Sequence, residues 1–112
     1  MDDRSLKPQW FQILLSLADH DRHGYSVMQD VLERTEGRMR LWPGMLYRSL
    51  RSLCDQGLIR EVAPPARAPD DDMTRRYYRL TPSGRRVLAE ETRRLAAYVQ
   101  AARAKKVLRP AE

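Results

Sequence analysis

The stretch WPGMLYRSLRSLCDQGL, residues 42–58, constrains the fold of this chain more than any other segment. Pro43 stands where a proline is accepted in the first turn of a helix, and Gly57 stands where a glycine commonly follows a helix end. Between them, leucines recur at the spacing of one helical face, flanked by a tyrosine and a cysteine: Leu46, Leu50, Leu53, Tyr47 and Cys54. We therefore predict a helix anchored in the core by its leucines. Its opposite face carries Met45, Arg48, Arg51, Ser52 and Asp55.

Periodicity, proline and glycine divide the rest of the chain in the same way. Apolar residues at helical spacing predict two helices before this one, and two β-like segments follow it. Thr81 followed by Pro82 predicts the start of a long last helix of about 40 Å. The fold class is mainly α with a small β-hairpin, in the order of a winged helix-turn-helix followed by a long C-terminal helix. The predicted helices cover 7–18, 25–34, 43–56 and 82–108, and the predicted strands cover 58–62 and 75–80.

The predicted last helix carries a short and imperfect heptad seam. Its residues are Leu88, Thr92, Leu95, Val99, Ala102 and Lys106. Such a seam packs either on the first helix of the same chain or on a second copy of itself. We accordingly predict a winged helix-turn-helix domain at 1–81 and a dimerisation helix with its tail at 82–112.

Two adjacent aromatic residues, Trp10 and Phe11, cannot both be buried on one narrow stripe of the first helix. One of them is expected to face a cleft beside Leu95, Tyr98 and Val99. Packing at a dimer interface is the favoured interpretation of these five residues. The alternative is a site for a small aromatic or drug-like effector, because flat apolar surfaces suit such ligands.

The chain is basic, with 21 Lys and Arg against 15 Asp and Glu and a net charge of +6. This balance favours an anionic partner such as nucleic acid or a membrane surface. Lysine occurs only at Lys7, Lys105 and Lys106, so arginine supplies most of the positive charge. The planar fork of arginine suits phosphates and guanine edges, although a GC-rich genome gives the same preference without any function.

Several other classes of function are disfavoured. The single cysteine, Cys54, excludes a disulfide framework and is expected to pack as a small apolar residue. Because the N-terminus lacks a signal-peptide layout and no apolar run reaches the roughly 18 residues of a membrane span, we expect a soluble, cytoplasmic protein without a membrane partner. Asp19, His20, Asp21 and His23 crowd one turn, but no distant ligand completes a zinc site, so His23 is expected to structure a helix entry. We predict no catalytic set, no metal and no cofactor.

The arginines of the third helix predict an interface with double-stranded DNA. A helix fits the major groove, where Arg48 and Arg51 can contact guanine with two hydrogen bonds each. Arg38 and Arg40 precede this helix and are expected to neutralise phosphates. The alternative, that these arginines only keep an exposed face soluble, is outweighed by their place on the third helix of a winged-helix pattern. The hairpin adds Arg67, Arg75 and Arg76, whereas its acidic tip at Asp70–Asp72 is expected to avoid phosphates.

Three motifs resemble those of the PadR family of bacterial transcriptional regulators: HGY at 23–25, P-G-x-L-Y at 43–47, and Y-x-L-T-x-x-G at 78–84. The resemblance extends over residues 6–108. It implies a homodimer whose last helix crosses to its partner, with DNA bound through the third helix and wing. It also implies repression in most members and a response to a ligand or signal in some. Two positions depart from the family pattern: Trp42 replaces a small or hydroxyl residue, and Met45 stands where threonine or serine is usual.

The resemblance and the charges together predict a repressor that binds a pseudo-palindromic operator as a homodimer. A winged-helix module for protein–protein interaction, without sequence-specific DNA binding, is the alternative. The expected DNA contacts are Tyr25, Arg38, Arg40, Gly44, Met45, Tyr47, Arg48, Arg51, Ser52, Arg67, Arg75 and Arg76. The expected dimer contacts are Leu88, Thr92, Leu95, Val99 and Ala102.

Overall fold

The third helix and its two neighbours form as the sequence predicts. A computed structural model describes residues 6–67 and 75–109, and these contain four helices and three strands. The predicted fold class, mainly helical with a small β-sheet, is confirmed. In chain order the elements are α1 (Pro8–Ser16), β1 (Arg22–His23), α2 (Gly24–Arg34), α3 (Pro43–Asp55), β2 (Ile59–Val62), β3 (Tyr77–Leu80) and α4 (Pro82–Ala104).

The end of α3 shows why a glycine occupies position 57. Gly57 has a φ of +74°, in the left-handed region where a side chain would be strained. Its N–H donates to the carbonyl of Cys54 (2.9 Å), and the N–H of Leu58 donates to the carbonyl of Leu53 (3.0 Å). These two bonds satisfy carbonyls that the helix end leaves open, and they turn the chain directly into β2.

The core lies where the inner faces of α1, α2 and α3 meet the sheet and the start of α4. The predicted leucine stripe of α3 is buried there, and so is Leu41 from the loop before α3, with no exposed surface. Buried core residues from the other elements are Ile13, Leu14, Leu17, Val27, Val31, Leu58, Ile59, Tyr78, Leu80 and Leu88. A single apolar core therefore fixes the direction in which each helix presents its outer face.

The sheet has three strands where the sequence predicted a two-stranded hairpin. Its order is β1-β3-β2, with both pairs antiparallel. The strand that was not predicted, β1, has only two residues. These are Arg22 and His23, which pair with Tyr78 and Tyr77 of β3. Two residues are too few to leave an alternating pattern in a sequence, so no periodicity could have indicated this strand.

A surface ion pair ties the segment before β1 to the centre of the sheet. Arg79 of β3 donates two hydrogen bonds to the Asp21 carboxylate, at 3.0 and 2.8 Å. These hydrogen bonds lower the pKa of Asp21 below its ordinary value, which outweighs the opposite effect of partial burial. The α1–α2 connection is thereby held against β3.

The last helix begins as predicted but ends earlier. Thr81 is the N-cap, with its side-chain oxygen accepting from the N–H of Gly84 (3.0 Å). The helix was expected to run to 108 but stops at Ala104, which gives 23 residues and a length of about 34 Å. Lys106 adopts a φ of 63° in a left-handed turn that is closed by a bond from the N–H of Val107 to the carbonyl of Ala102 (2.9 Å). Because the residue in this turn is a lysine and not a glycine, the sequence gives no stop signal, and the predicted seam position at 106 lies beyond the helix.

The predicted dimer seam divides into two parts. Leu88 is buried in the core of its own chain, so it is not free to face a partner. From Thr92 to Arg109 none of the described residues is buried. The second half of α4 thus projects beyond the core and leaves Leu95 and Val99 39% and 45% exposed.

Among the five glycines, Gly84 in the first turn of α4 has the tightest surroundings. A Cβ placed there would lie 1.9 Å from the carbonyl oxygen of Leu58 and 2.8 Å from Cδ1 of Leu80. The nearest atom belongs to backbone and cannot rotate away. Only glycine at this position lets α4 pack against the start of β2.

We predict that Gly84→Ala destabilises the protein by about 3 kcal/mol, because α4 must shift away from the sheet to admit a methyl group. Equilibrium urea unfolding measures this change. Gly44→Ala is the matched control, since the nearest atom to a Cβ there is Nη1 of Arg48 at 3.4 Å, at the end of a flexible side chain. Equal stabilities of the two variants would contradict the packing described for α4.

Candidate nucleic-acid interface

The outer face of α3 is basic and open. Arg48 and Arg51 are exposed on the side of the helix away from the buried leucines, and Tyr47 is exposed on the flank of the leucine stripe. Met45 and Ser52 are less exposed to solvent than their positions on the helix predict. Both are half-buried, and Met45 packs against the core. The face available to a partner is therefore narrower than the one expected from the sequence, and two arginines and a tyrosine dominate it.

The N-terminal end of α3 has an unusual cap. Trp42 occupies the N-cap position without a side-chain hydrogen bond to the helix, as expected for a residue that cannot accept one. Its ring is 62% exposed, and the guanidinium carbon of Arg40 lies 5.4 Å from the ring centroid. Nη1 of Arg48 lies over Gly44, 3.4 Å from where a Cβ on that glycine would sit. Arginine side chains thus surround the start of this helix.

The HGY motif builds the entry of α2 beside the same face. The buried His23 is the N-cap of α2, because its Nδ1 accepts a hydrogen bond from the backbone N–H of Ser26 (3.1 Å). This confirms the structural role predicted for His23. Gly24 faces α3, and a Cβ there would lie 3.4 Å from the Leu46 side chain and 3.5 Å from the Tyr47 ring. Tyr25 follows with its ring exposed.

The wing, which is β2, β3 and their connection, brings further arginines to this surface. The guanidinium carbon of Arg75 lies 5.5 Å from the ring centroid of Tyr25, and its Nη1 lies 3.4 Å from Nδ1 of His23. Arg76 forms a long ion pair with Glu61 (3.8 Å), and Arg67 is exposed. The predicted acidic tip at 70–72 lies outside the described residues.

A cleft of about 800 Å³ separates α3 from the wing. It brings together two predicted DNA contacts of α2 and α3, Tyr25 and Tyr47, with Arg51, Arg75 and Arg76. Arg38 and Arg40 are exposed in the loop before α3 and do not line the cleft. Five of the twelve predicted DNA contacts therefore line one cleft, although they come from three separate parts of the chain, and Arg48 is not among them.

Seven of the residues that line the cleft were not predicted as DNA contacts, and three of these bear on its chemistry. Asp55 and Glu61 place carboxylates on the cleft wall, and Tyr78 is buried behind them. Burial raises the pKa of the Tyr78 phenol, so this side chain is neutral at physiological pH. The alternating pattern of β2 and β3 could have indicated Glu61 as outward-facing. The position of Tyr78 depends on β1, which has no sequence signal.

Cys54 and the other residues considered as catalytic or metal-binding candidates give no sign of such a site in the described part of the chain. Cys54 is half-buried in the cleft wall, and burial raises the pKa of its thiol, as expected for an apolar packing role. Within residues 6–67 and 75–109, no group of His, Cys, Asp and Glu is arranged to hold a metal ion. No helix in this part of the chain is both long and apolar enough to cross a membrane.

The predicted effector residues lie on two helices, α1 and the projecting half of α4. Trp10 and Phe11 of α1 are both half-buried against the core, and Nζ of Lys7 lies 4.8 Å from the Trp10 ring centroid. Both rings therefore pack partly against the core, whereas the sequence predicted that only one of them would pack inward. Leu95, Tyr98 and Val99 are exposed on the projecting half of α4.

Three helices, a sheet with a wing and a projecting last helix define a winged helix-turn-helix protein of the transcription-regulator class. The chain belongs to the PadR-like family of transcriptional regulators, whose family model matches residues 13–90. This confirms the resemblance seen in the motifs. PadR-family members are transcription regulators, and DNA binding is characteristic of them. The match ends in the first half of α4. None of the curated proteins compared with the chain matches its sequence.

Solved structures share this fold at low sequence identity. A PadR-family transcription regulator from a hypervirulent Clostridium difficile strain is 19% identical, with a TM-score of 0.69 over 88% of this chain and 97% of that one. Bordetella bronchiseptica BpsR, whose DNA binding is regulated by 6-hydroxynicotinic acid, is 20% identical, with a TM-score of 0.70 over 100% of this chain and 74% of its own. Bacillus subtilis PadR, solved with operator DNA, is 21% identical, with a TM-score of 0.62 over 75% of this chain and 46% of its own.

Proposed function

We propose that this protein is a homodimeric transcriptional repressor that binds a pseudo-palindromic operator through α3 and the wing. The exposed basic face of α3 carries the proposal, because Arg48 and Arg51 are exposed on a helix whose leucine stripe is buried in the core. The Bacillus subtilis relative, which has the same fold and was solved with operator DNA, supports it.

Each part of the basic surface has a role that follows from its position. Arg48 and Arg51 lie on the face of α3 that fits the major groove, where arginine distinguishes guanine by paired hydrogen bonds. Arg38 and Arg40 flank the helix and would contact phosphates, which fix the register of the protein on the duplex. Arg75, stacked over Tyr25 at the base of the wing, would hold the backbone on the other side of the cleft.

We predict that Arg48→Ala and Arg51→Ala each weaken operator binding about tenfold or more, the loss expected for one arginine contact to a base or phosphate. Fluorescence anisotropy with a duplex selected from a random library measures the affinity at several salt concentrations. A lost phosphate contact also reduces the salt slope by about 0.9 log units.

Arg93→Ala is the control, because it removes the same charge from an exposed position on α4 outside the predicted seam. It is expected to leave the affinity close to that of the wild type. Wild-type affinity and an unchanged salt slope in both α3 variants would show that the recognition face has been assigned to the wrong residues.

The projecting half of α4 supports the proposed dimer. Leu95, Tyr98 and Val99 are large apolar residues that no part of the described chain buries. A second copy that packs along Thr92, Leu95, Val99 and Ala102 would cover this face. We keep residue 81 as the proposed boundary between the DNA-binding domain and the dimerisation helix, because α4 begins there. The first turns of α4 still pack through Leu88 on the core of the DNA-binding domain, so its second half would form the dimer.

Leu95→Glu is predicted to convert the dimer to a monomer, because two buried carboxylates would replace an apolar contact across the two-fold axis. Sedimentation velocity at micromolar concentration reports the change. Ala97→Glu adds the same charge on the opposite side of α4 and should remain dimeric. If both variants sediment as the wild type does, the dimer does not use this seam.

Two-fold symmetry sets the shape of the expected operator. Two α3 helices related by a dyad enter major grooves on one side of the duplex, so the half-sites should lie about 34 Å apart or at a multiple of that distance. The angle between the two heads decides whether both helices fit at once. A signal that changes this angle through α4 would release the operator.

We further propose a small aromatic effector that binds in a cleft of the dimer, where Trp10 or Phe11 of α1 would lie beside the projecting half of α4. Trp10, Phe11, Leu95, Tyr98 and Val99 supply flat apolar surfaces, and BpsR offers a precedent in which a small aromatic acid regulates DNA binding. In a Trp42→Phe variant, where Trp10 is the remaining tryptophan, emission should change on titration with at least one of a panel of planar aromatic compounds. An unchanged emission across the whole panel would contradict this site.

A further inference from the structure

We propose that Trp42 contacts DNA at the N-terminal end of α3 and reads the methyl group of thymine in the major groove, with Arg40 holding its ring. This inference rests on operator binding by α3, and it adds a specificity-determining residue to that site. Three features of the structure lead to it: the exposure of the ring, its arginine partner and the charge of its surroundings.

Neither capping of α3 nor packing in the core explains why a residue as large as tryptophan occupies position 42. It makes no side-chain hydrogen bond to the helix that it caps, and 62% of its surface is exposed. Its neighbour Leu41 is completely buried and anchors the loop to the core in its place. The indole is therefore available to a partner outside the chain.

Arg40 restrains the exposed ring. Its guanidinium carbon lies 5.4 Å from the centroid of the Trp42 ring, within the range of a cation–π contact. Such stacking limits the rotamers of both side chains before any partner binds. Less conformational entropy is then lost on binding, which favours a ring that makes a specific contact.

The surroundings of Trp42 indicate that the partner is DNA. No acidic residue lies between Glu36 and Asp55, and this stretch holds four arginines: Arg38, Arg40, Arg48 and Arg51. A protein surface seldom complements so basic a segment as well as a polyanion does. The N-terminal residues of a recognition helix are also the ones that contact base edges.

Thymine is the base that an apolar ring at this position can distinguish. Its C5-methyl is the apolar group on the major-groove edge, and an aromatic side chain can contact it. A serine or threonine cap would instead offer a hydroxyl to a phosphate or base. Trp42 is thus expected to replace a polar contact with a preference for thymine near the start of α3.

The first measurement uses the intrinsic fluorescence of Trp42. The chain has two tryptophans, so Trp10→Phe leaves Trp42 as the only tryptophan, which can be excited selectively over the tyrosines. Titration with the library-selected duplex should shift or quench its emission at the same midpoint as binding seen by anisotropy of a labelled duplex. Binding without any change in emission would place the indole away from the DNA.

The second measurement tests the methyl contact itself. Each thymine of the selected half-site is replaced in turn by deoxyuridine, which removes only the methyl group. One replacement should weaken wild-type binding by roughly fourfold, the value expected for one buried methyl. Trp42→Ala should bind the thymine duplex about tenfold more weakly than the wild type and should no longer distinguish thymine from deoxyuridine.

Trp42→Ser controls for damage to the fold, because serine is a good N-cap and should leave the melting temperature unchanged or higher. It should lose the thymine preference as Trp42→Ala does. A wild-type protein that is indifferent to every deoxyuridine overturns the methyl contact, even if Trp42→Ala binds weakly. Unchanged affinity in Trp42→Ala, together with weak binding in Arg48→Ala, overturns the role of Trp42 while operator binding by α3 stands. If the wild type binds no duplex at all, both proposals fall together.

Discussion

The structure depends on a junction where the end of α3, the start of the wing and the start of α4 meet. The hydroxyl of Thr81 donates to the carbonyl of Gly57 (2.6 Å) and accepts from the N–H of Gly84 (3.0 Å). The backbone N–H of Thr81 donates to the carbonyl of Leu58 (3.1 Å), the same carbonyl on which Gly84 packs. Hydrogen bonds and one close contact therefore join three elements that would otherwise be linked only by turns.

This junction connects the two surfaces that the proposed function requires. One surface is the basic face of α3, and the other is the projecting half of α4. Because α3 and α4 are both fixed to the same few residues, a rotation of α4 against the partner in the proposed dimer would carry the α3 helix with it. In the proposed dimer, the angle between the two heads would then control whether both α3 helices reach the DNA.

Sequence reasoning succeeded where a local rule has one physical outcome. The leucine stripe, the glycine turn at Gly57 and the cap at Thr81 follow from helix periodicity, the left-handed φ region and side-chain hydrogen bonding. The prediction was wrong where the structure depends on tertiary packing or on a turn that leaves no signal in the sequence. The strand β1 is too short to show a period, Lys106 ends α4 in a left-handed turn usually given to glycine, and Leu88 turned out to face its own core. The arginine-bearing face of α3 was predictable because helical spacing defines it, whereas the contact of Arg75 with Tyr25 depends on how the wing folds back.

The central claim is that the basic face of α3 binds specific duplex DNA, and selection from a randomised duplex library at two salt concentrations tests it most directly. The bound pool is sequenced, and the affinity for its most enriched member is measured against salt. We expect an enriched inverted repeat whose half-sites are about one helical turn apart, bound with an affinity that falls steeply as salt rises. Absence of duplex binding even at the lower salt would contradict the account and would favour a winged helix that binds a protein partner.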